Sequence, residues 1–334
     1  MADRNKRLPE NVEGDLFVDS TCINCHNCSR MAPATFKDVG IYHVVYAQPT
    51  TEAEKLTALR ALVCCPTGAI GTQEKASLKE IMQDFPLPIA EDLYYCGFNS
   101  PKSAGAASYF LRHPGGNWLI CTPKFIPQLV SKFEAMGGVK FLFMSHRDDV
   151  GEAIKYGEKF GCQRIIHAND LDALPEAEMV LGDERSRIGS DFLVLPTPGH
   201  TEGHCMLLFK DRYLFSGDTF DPRPENYQLQ IWSPLWTWYS FTEQTESVER
   251  LLDLTFEWIL PSHGQRMKIA PQDAGALVAT AVEQAHAVSD PDPATPEKLR
   301  NLEMYARELR KLNQGNYALK VEARAQAVRN RLSR

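Results

Sequence analysis

Residues Leu195–Phe220 read LPTPGHTEGHCMLLFKDRYLFSGDTF. A Thr-Pro-Gly-His turn leads into two short apolar runs, Cys205–Phe209 and Tyr213–Phe215, and the stretch closes on Ser-Gly-Asp. Each run has the length of a buried strand, and Lys210-Asp211-Arg212 between them reads as a hairpin connection. Such a hairpin returns His200 and Asp218, eighteen positions apart, to one edge of a sheet. An imidazole and a carboxylate at neighbouring strand ends suit a transition metal. Taken alone, Gly-His and Gly-Asp are also ordinary turn pairs.

Two further segments end the same way. Phe141–Gly151 (FLFMSHRDDVG) is an apolar run breaking into His146, Asp148 and Asp149, and Phe256–Gly264 (FEWILPSHG) is another ending in His263. The order of these pieces resembles the metallo-β-lactamase fold family. Its ligand motifs run H-x-H-x-D-H-x-G, T-P-G-H-T-x-G-H, G-D and a late S/G-H-G. The last three match at Thr197–His204, Gly217–Asp218 and Ser262–Gly264, and the likeness covers roughly residues 90–290.

The first motif departs from the family pattern. With Gly151 setting the register, Met144 stands where the first histidine belongs, and Asp149 replaces the last one. Mapped residue by residue, the resemblance implies His146, His200 and Asp218 at one metal position, and Asp148, Asp149, Asp218 and His263 at the other. It thus implies one or two divalent ions, with Asp148 in a catalytic role. Cys121 occupies a place where the family usually has aspartate, and reads as a small buried side chain. His204 reads as a group orienting a ligand, and His167 as a partner behind the ligands or a structural residue rather than a ligand itself.

Nearer the start, Cys22-x2-Cys25-x2-Cys28 is followed thirty-six residues later by Cys64-Cys65-Pro66-Thr-Gly-Ala-Ile. Three cysteines at two-residue gaps let one tight loop reach three corners of a cubane, with a distant Cys-Pro closing the fourth. This is similar to a bacterial-type ferredoxin domain with one 4Fe–4S cluster, and implies Cys22, Cys25, Cys28 and Cys65 as ligands. Ala32-Pro33 stands where a second cluster would need a cysteine. Zinc sites share the C-x2-C spacing and are the rival.

The 334 residues suffice for more than one domain. A net charge of −7 argues against general nucleic-acid binding. No apolar run nears the roughly 18 residues of a membrane span. The opening MADRNKRLPENVEGD lacks an apolar segment, so a cytoplasmic protein without a secretory signal is expected. In that setting its nine cysteines suit metal binding and burial better than disulfides.

The expected fold is mixed, α+β followed by α/β. A ferredoxin-like domain spans 10–85, an αββα metallo-β-lactamase-type sandwich 90–290, and a basic helical tail 291–334. Within the first domain, Gly40–Ala47 reads as a strand and Thr51–Leu62 as a helix. Residues 76–90 read as a short helix and a Pro-rich link. Pro222–Phe241 is crowded with aromatics, which suit packing, a pocket wall or a domain contact. From Thr295 on there are ten Lys/Arg against four Asp/Glu, and Leu299, Leu302, Ala306 and Leu309 recur at helical gaps. This tail either packs on its own domain or docks on an acidic surface, here or on an electron-donor protein.

Three functions follow as readings. In the first, the cluster exchanges electrons with a metal, iron before manganese or zinc because the donors are imidazole and carboxylate, acting on a small-molecule substrate. In the second, the chain is a metal-dependent hydrolase of an ester, thioester or phosphoester, with a structural or regulatory cluster. In the third, it is a binding module that has lost catalysis.

Overall fold

The computed structural model describes residues 2–74 and 77–333. Its contacts divide the chain into two compact units. One is Met1–Phe143 with Asp148–Arg164, the other Met144–Arg147 with Ile165–Arg334.

The first unit begins with a small α/β module. Strand Leu16–Val18 pairs antiparallel with Ile70–Thr72, and Phe36–Asp38 with His43–Val45. The run expected as one strand at 40–47 is therefore the second arm of a hairpin that turns through Gly40. Helix Glu52–Cys64 starts at Thr51, whose hydroxyl accepts from the Glu54 N–H while the Glu54 carboxylate accepts from the Thr51 N–H. That capping box satisfies two of the amides left open at a helix start. Leu16, Val18, Phe36, Val45, Ala58 and Ile70 form the module's core. Of the stretch 76–90, position 76 lies outside the described residues; the helix there is Lys79–Gln83.

The same unit continues as a sheet ordered 87–88, 93–95, 109–111, 118–120, 141–143. Its first four strands are antiparallel neighbours and the last pairs parallel. Leu87–Pro88 is the edge strand, where a proline's missing N–H does no harm. Helices Pro127–Ala135 and Ala153–Phe160 belong to this unit; Leu129, Phe133 and Tyr156 are their buried anchors.

The second unit holds a six-stranded sheet ordered 186–188, 192–196, 205–209, 213–217, 258–261, 267–268. The pairings are antiparallel except that between Tyr213–Gly217 and Trp258–Pro261. Cys205–Phe209 and Tyr213–Gly217 form the expected hairpin. Its three-residue connection, Lys210–Arg212, has positive φ at Lys210 and Asp211, which turns the chain back on itself. Leu195, Met206, Leu208, Leu214 and Ile259 share a core with Val248 and Val278, which lie on helices Phe241–Glu249 and Ala274–His286. The tail is two helices, Pro296–Lys311 and Gly315–Leu332. They close around Trp238 with Leu302, Tyr305, Tyr317 and Val321, so the tail packs on its own unit. The class is thus the mixed α/β one expected, with a helical C-terminal segment. Among the described residues, no helix is long and apolar enough to cross a membrane.

Candidate metal centre and cluster cradle

The sheet topology of the second unit gathers the site. Strand 192–196 ends where 205–209 begins, and 213–217 and 258–261 end on that same side. The turns leaving these strand ends carry His200, Asp218 and His263. The loop Met144–Arg147 joins them, because Met144 N–H donates to the Ile165 carbonyl and Cys205 N–H to that of Ser145.

Asp218 is the centre of this group. Its Oδ2 lies 3.5 Å from His146 Nε2 and 3.5 Å from His200 Nε2. His263 Nδ1 sits 3.0 Å from both carboxylate oxygens, and the His263 N–H donates to Oδ1 at 3.1 Å. Burial works against the carboxylate's charge, but His263 and then His146 hold its pKa well below the usual range. His146 and His200 stack edge-on with centroids 4.9 Å apart. Ser145 Oγ is 2.9 Å from His146 Nδ1.

His204 has a different task. Its Nε2 accepts the Asp218 N–H at 3.0 Å, which leaves the proton on Nδ1, 2.8 Å from Thr197 Oγ1. Burial first, and then the nearby His146, push its pKa well down, so the ring is neutral and fixes the Asp218 backbone. Gly217 makes room for it: a Cβ there would stand 2.3 Å from His204 Nε2, and φ is +52°. His167 accepts the Asn169 N–H and lies 3.3 Å from Asp183.

Asp148 and Asp149 count with the first unit. Asp149 is fully buried and its Oδ2 accepts a hydrogen bond from the Cys121 thiol, Sγ to oxygen 3.0 Å. Cys121 therefore does polar work that its reading as a small apolar residue overlooked. Sequence reasoning also missed Arg147 and Asp170, both completely buried. A lone charge beside a motif histidine looks in sequence like a solvated loop residue.

In the first unit, Cys22, Cys25, Cys28 and Cys65 line one cavity, together with Pro66. Cys64, at the end of helix Glu52–Cys64, is not among its walls. Three of the sulfurs accept N–H groups: Cys22 from the His43 amide, Cys25 from Asn27 Nδ2, and Cys65 from the Ala69 amide, at 3.5, 3.4 and 3.3 Å. Burial pushes Cys25 up to about 11 and Cys28 well above its ordinary value. Thiols so placed ionise when a cation binds them, and amide donors to sulfur are the setting an iron–sulfur cluster uses. The donor set fits a cubane. Asn27 Nδ2 also donates to the Gly105 carbonyl, and Lys124 Nζ to that of Cys65. A Cβ at Gly105 would stand 3.2 Å from that of Cys25, so the backbone there abuts the cradle.

Comparison with known proteins finds a family match for part of the chain and partial likenesses for the rest. Residues 18–72 match the family described as the 4Fe-4S single cluster domain of Ferredoxin I. The chain is similar to the hydroxyacylglutathione hydrolase of Rhizobium etli, 36% identical over 77 residues, 22% of this chain and 30% of that protein. It is 27% identical to the enzyme of that name from Acidiphilium cryptum over 36% of this chain and 51% of that one. The chain thus spans between about a third and a half of these curated relatives. Among solved structures it is similar to an archaeal metallo-beta-lactamase superfamily protein, ST1585 from Sulfolobus tokodaii. That likeness has a TM-score of 0.44 at 16% identity, covering 67% of this chain and 99% of that one.

Proposed function

We propose that the chain is a redox-linked metalloenzyme acting on a small-molecule substrate. Cys22, Cys25, Cys28 and Cys65 hold one 4Fe–4S cluster. His146, His200, Asp218 and His263 hold one or two divalent ions. The observation that carries the metal reading is the convergence of three imidazoles on the buried, ionised Asp218. Imidazole and carboxylate donors without thiolate favour iron, then manganese or zinc. When bound, such an ion polarises a substrate oxygen, and iron also accepts or gives the single electron that a cubane trades in. The protein's own part is preorganisation. Neutral His204 holds the Asp218 backbone, Ser145 orients His146, and Asp148 takes the proton of the reacting water or substrate.

A hydrolase is the second reading, favoured by the likeness to enzymes named hydroxyacylglutathione hydrolase. In it Asp148 positions water against a thioester, and the cluster is structural or regulatory.

Anaerobically purified protein tests both readings. It is expected to hold about four irons and four sulfides for one cubane, plus metal that Asp218→Ala removes. Cys65→Ser is expected to lose the cluster and Cys64→Ser to keep it. A zinc-loaded, colourless cradle refutes the cluster. Thioester hydrolysis retained in folded, cluster-free Cys65→Ser refutes electron exchange in favour of hydrolysis.

A further inference from the structure

The residues that follow His146 and His200 meet at one buried carboxylate. Asp170 Oδ2 accepts the Arg147 backbone N–H at 3.0 Å and the Thr201 hydroxyl at 2.7 Å. Asp170 therefore ties together the two turns that carry these histidines. Burial pushes its pKa up, and Arg147, whose Nη1 is 3.5 Å from Oδ1, opposes that rise.

Arg147 is in turn held by the C-terminal hairpin. Its guanidinium donates two bonds to Asp172 at 2.9 Å each, and Nε and Nη2 donate to Gln314 Oε1 at 3.0 and 2.9 Å. The guanidinium also lies 3.6 Å from the centroid of the Tyr317 ring. The hairpin grips the second turn as well. Arg324 Nη1 donates to the carbonyls of Thr237, Trp238 and Tyr239. The next amides along, those of Trp238, Tyr239 and Ser240, donate to the carbonyls of His200 and Gly199. Trp238 lies between the two, stacked on Tyr305 at 4.3 Å and tilted against the His200 ring at 5.8 Å.

We propose that Asp170 and Arg147, anchored by the C-terminal helical hairpin, are positioning residues that hold His146 and His200 at metal-binding geometry. The proposal rests on the reading of those histidines as ligands. Outer partners of this kind typically govern metal affinity by 10–100-fold. A planar guanidinium gripped on two edges and one face loses little freedom when it holds its turn, which lysine cannot reproduce.

The test uses the full chain with its cluster in place, its second site stripped and titrated with cobalt(II) alone. Cobalt affinity and the visible d–d bands are read for wild type, Arg147→Met, Tyr317→Leu and Tyr317→Phe. Circular dichroism and the cluster absorption confirm folding. Arg147→Met and Tyr317→Leu are expected to weaken cobalt binding about 10–100-fold and to shift the bands, whereas Tyr317→Phe keeps the ring face and matches wild type. If Arg147→Met does not fold, the Tyr317 pair decides. Folded Tyr317→Leu with wild-type affinity and bands overturns the positioning role. A wild type that takes up no cobalt overturns the ligand reading itself.

Discussion

Cys121 Sγ, 3.0 Å from Asp149 Oδ2, donates a hydrogen bond to a carboxylate that has no exposure at all. Replacing such a donor costs about 1–3 kcal/mol, because the acceptor stays buried. Cys121→Ala is therefore expected to lower apparent stability in urea by that amount, and Cys121→Ser, which keeps a donor, to recover most of it. Equal losses in both would assign the effect to packing. The same scale shows what a sequence discloses. His200, Asp218 and His263 end apolar runs in glycine-containing turns, and that contrast makes them readable. Arg147 and Asp170 offer no such contrast. Their partners lie 25 and 31 positions away, and Gln314 lies 167 away, so only the folded chain reveals that the charges are paired.

Among the elements, helix Glu52–Cys64 was legible from Thr51 and Glu54 at capping-box spacing, and the 205–217 hairpin from its two apolar runs. Helix Gly315–Leu332 was expected only as an undivided part of the helical tail 291–334, because much of its buried face is alanine, Ala318 and Ala325 beside Tyr317, Val321 and Val328. Small residues bury without leaving a hydrophobic period. Helix Pro296–Lys311 carries a titration of its own. Lys298 is fully buried and donates to the carbonyls of Pro234 and Thr237. Burial, and then the nearby Arg324, push its pKa down to about 7. An unfolded lysine keeps its proton to about 10.4. Between these values the unfolded chain binds a proton that the folded chain has lost, so stability rises with pH across that window and is lowest below pH 7. Urea unfolding between pH 7 and 9.5 is expected to show a slope of at most about 1.4 kcal/mol per pH unit that Lys298→Met removes. An unchanged slope in that variant would place the titration elsewhere.

The whole molecule joins, in one chain, a cysteine cradle fitted to a cubane and a histidine–aspartate cluster fitted to a divalent ion. Mössbauer spectroscopy of 57Fe-enriched, anaerobically purified protein tests that claim most directly, before and after addition of one reducing equivalent. A cubane signal is expected, together with a distinct iron signal that Asp218→Ala abolishes. The second iron's oxidation state is expected to follow the electron once the cluster has been reduced. A cluster that cycles while the second iron stays unchanged, or a spectrum without a second iron in the wild type, would contradict it.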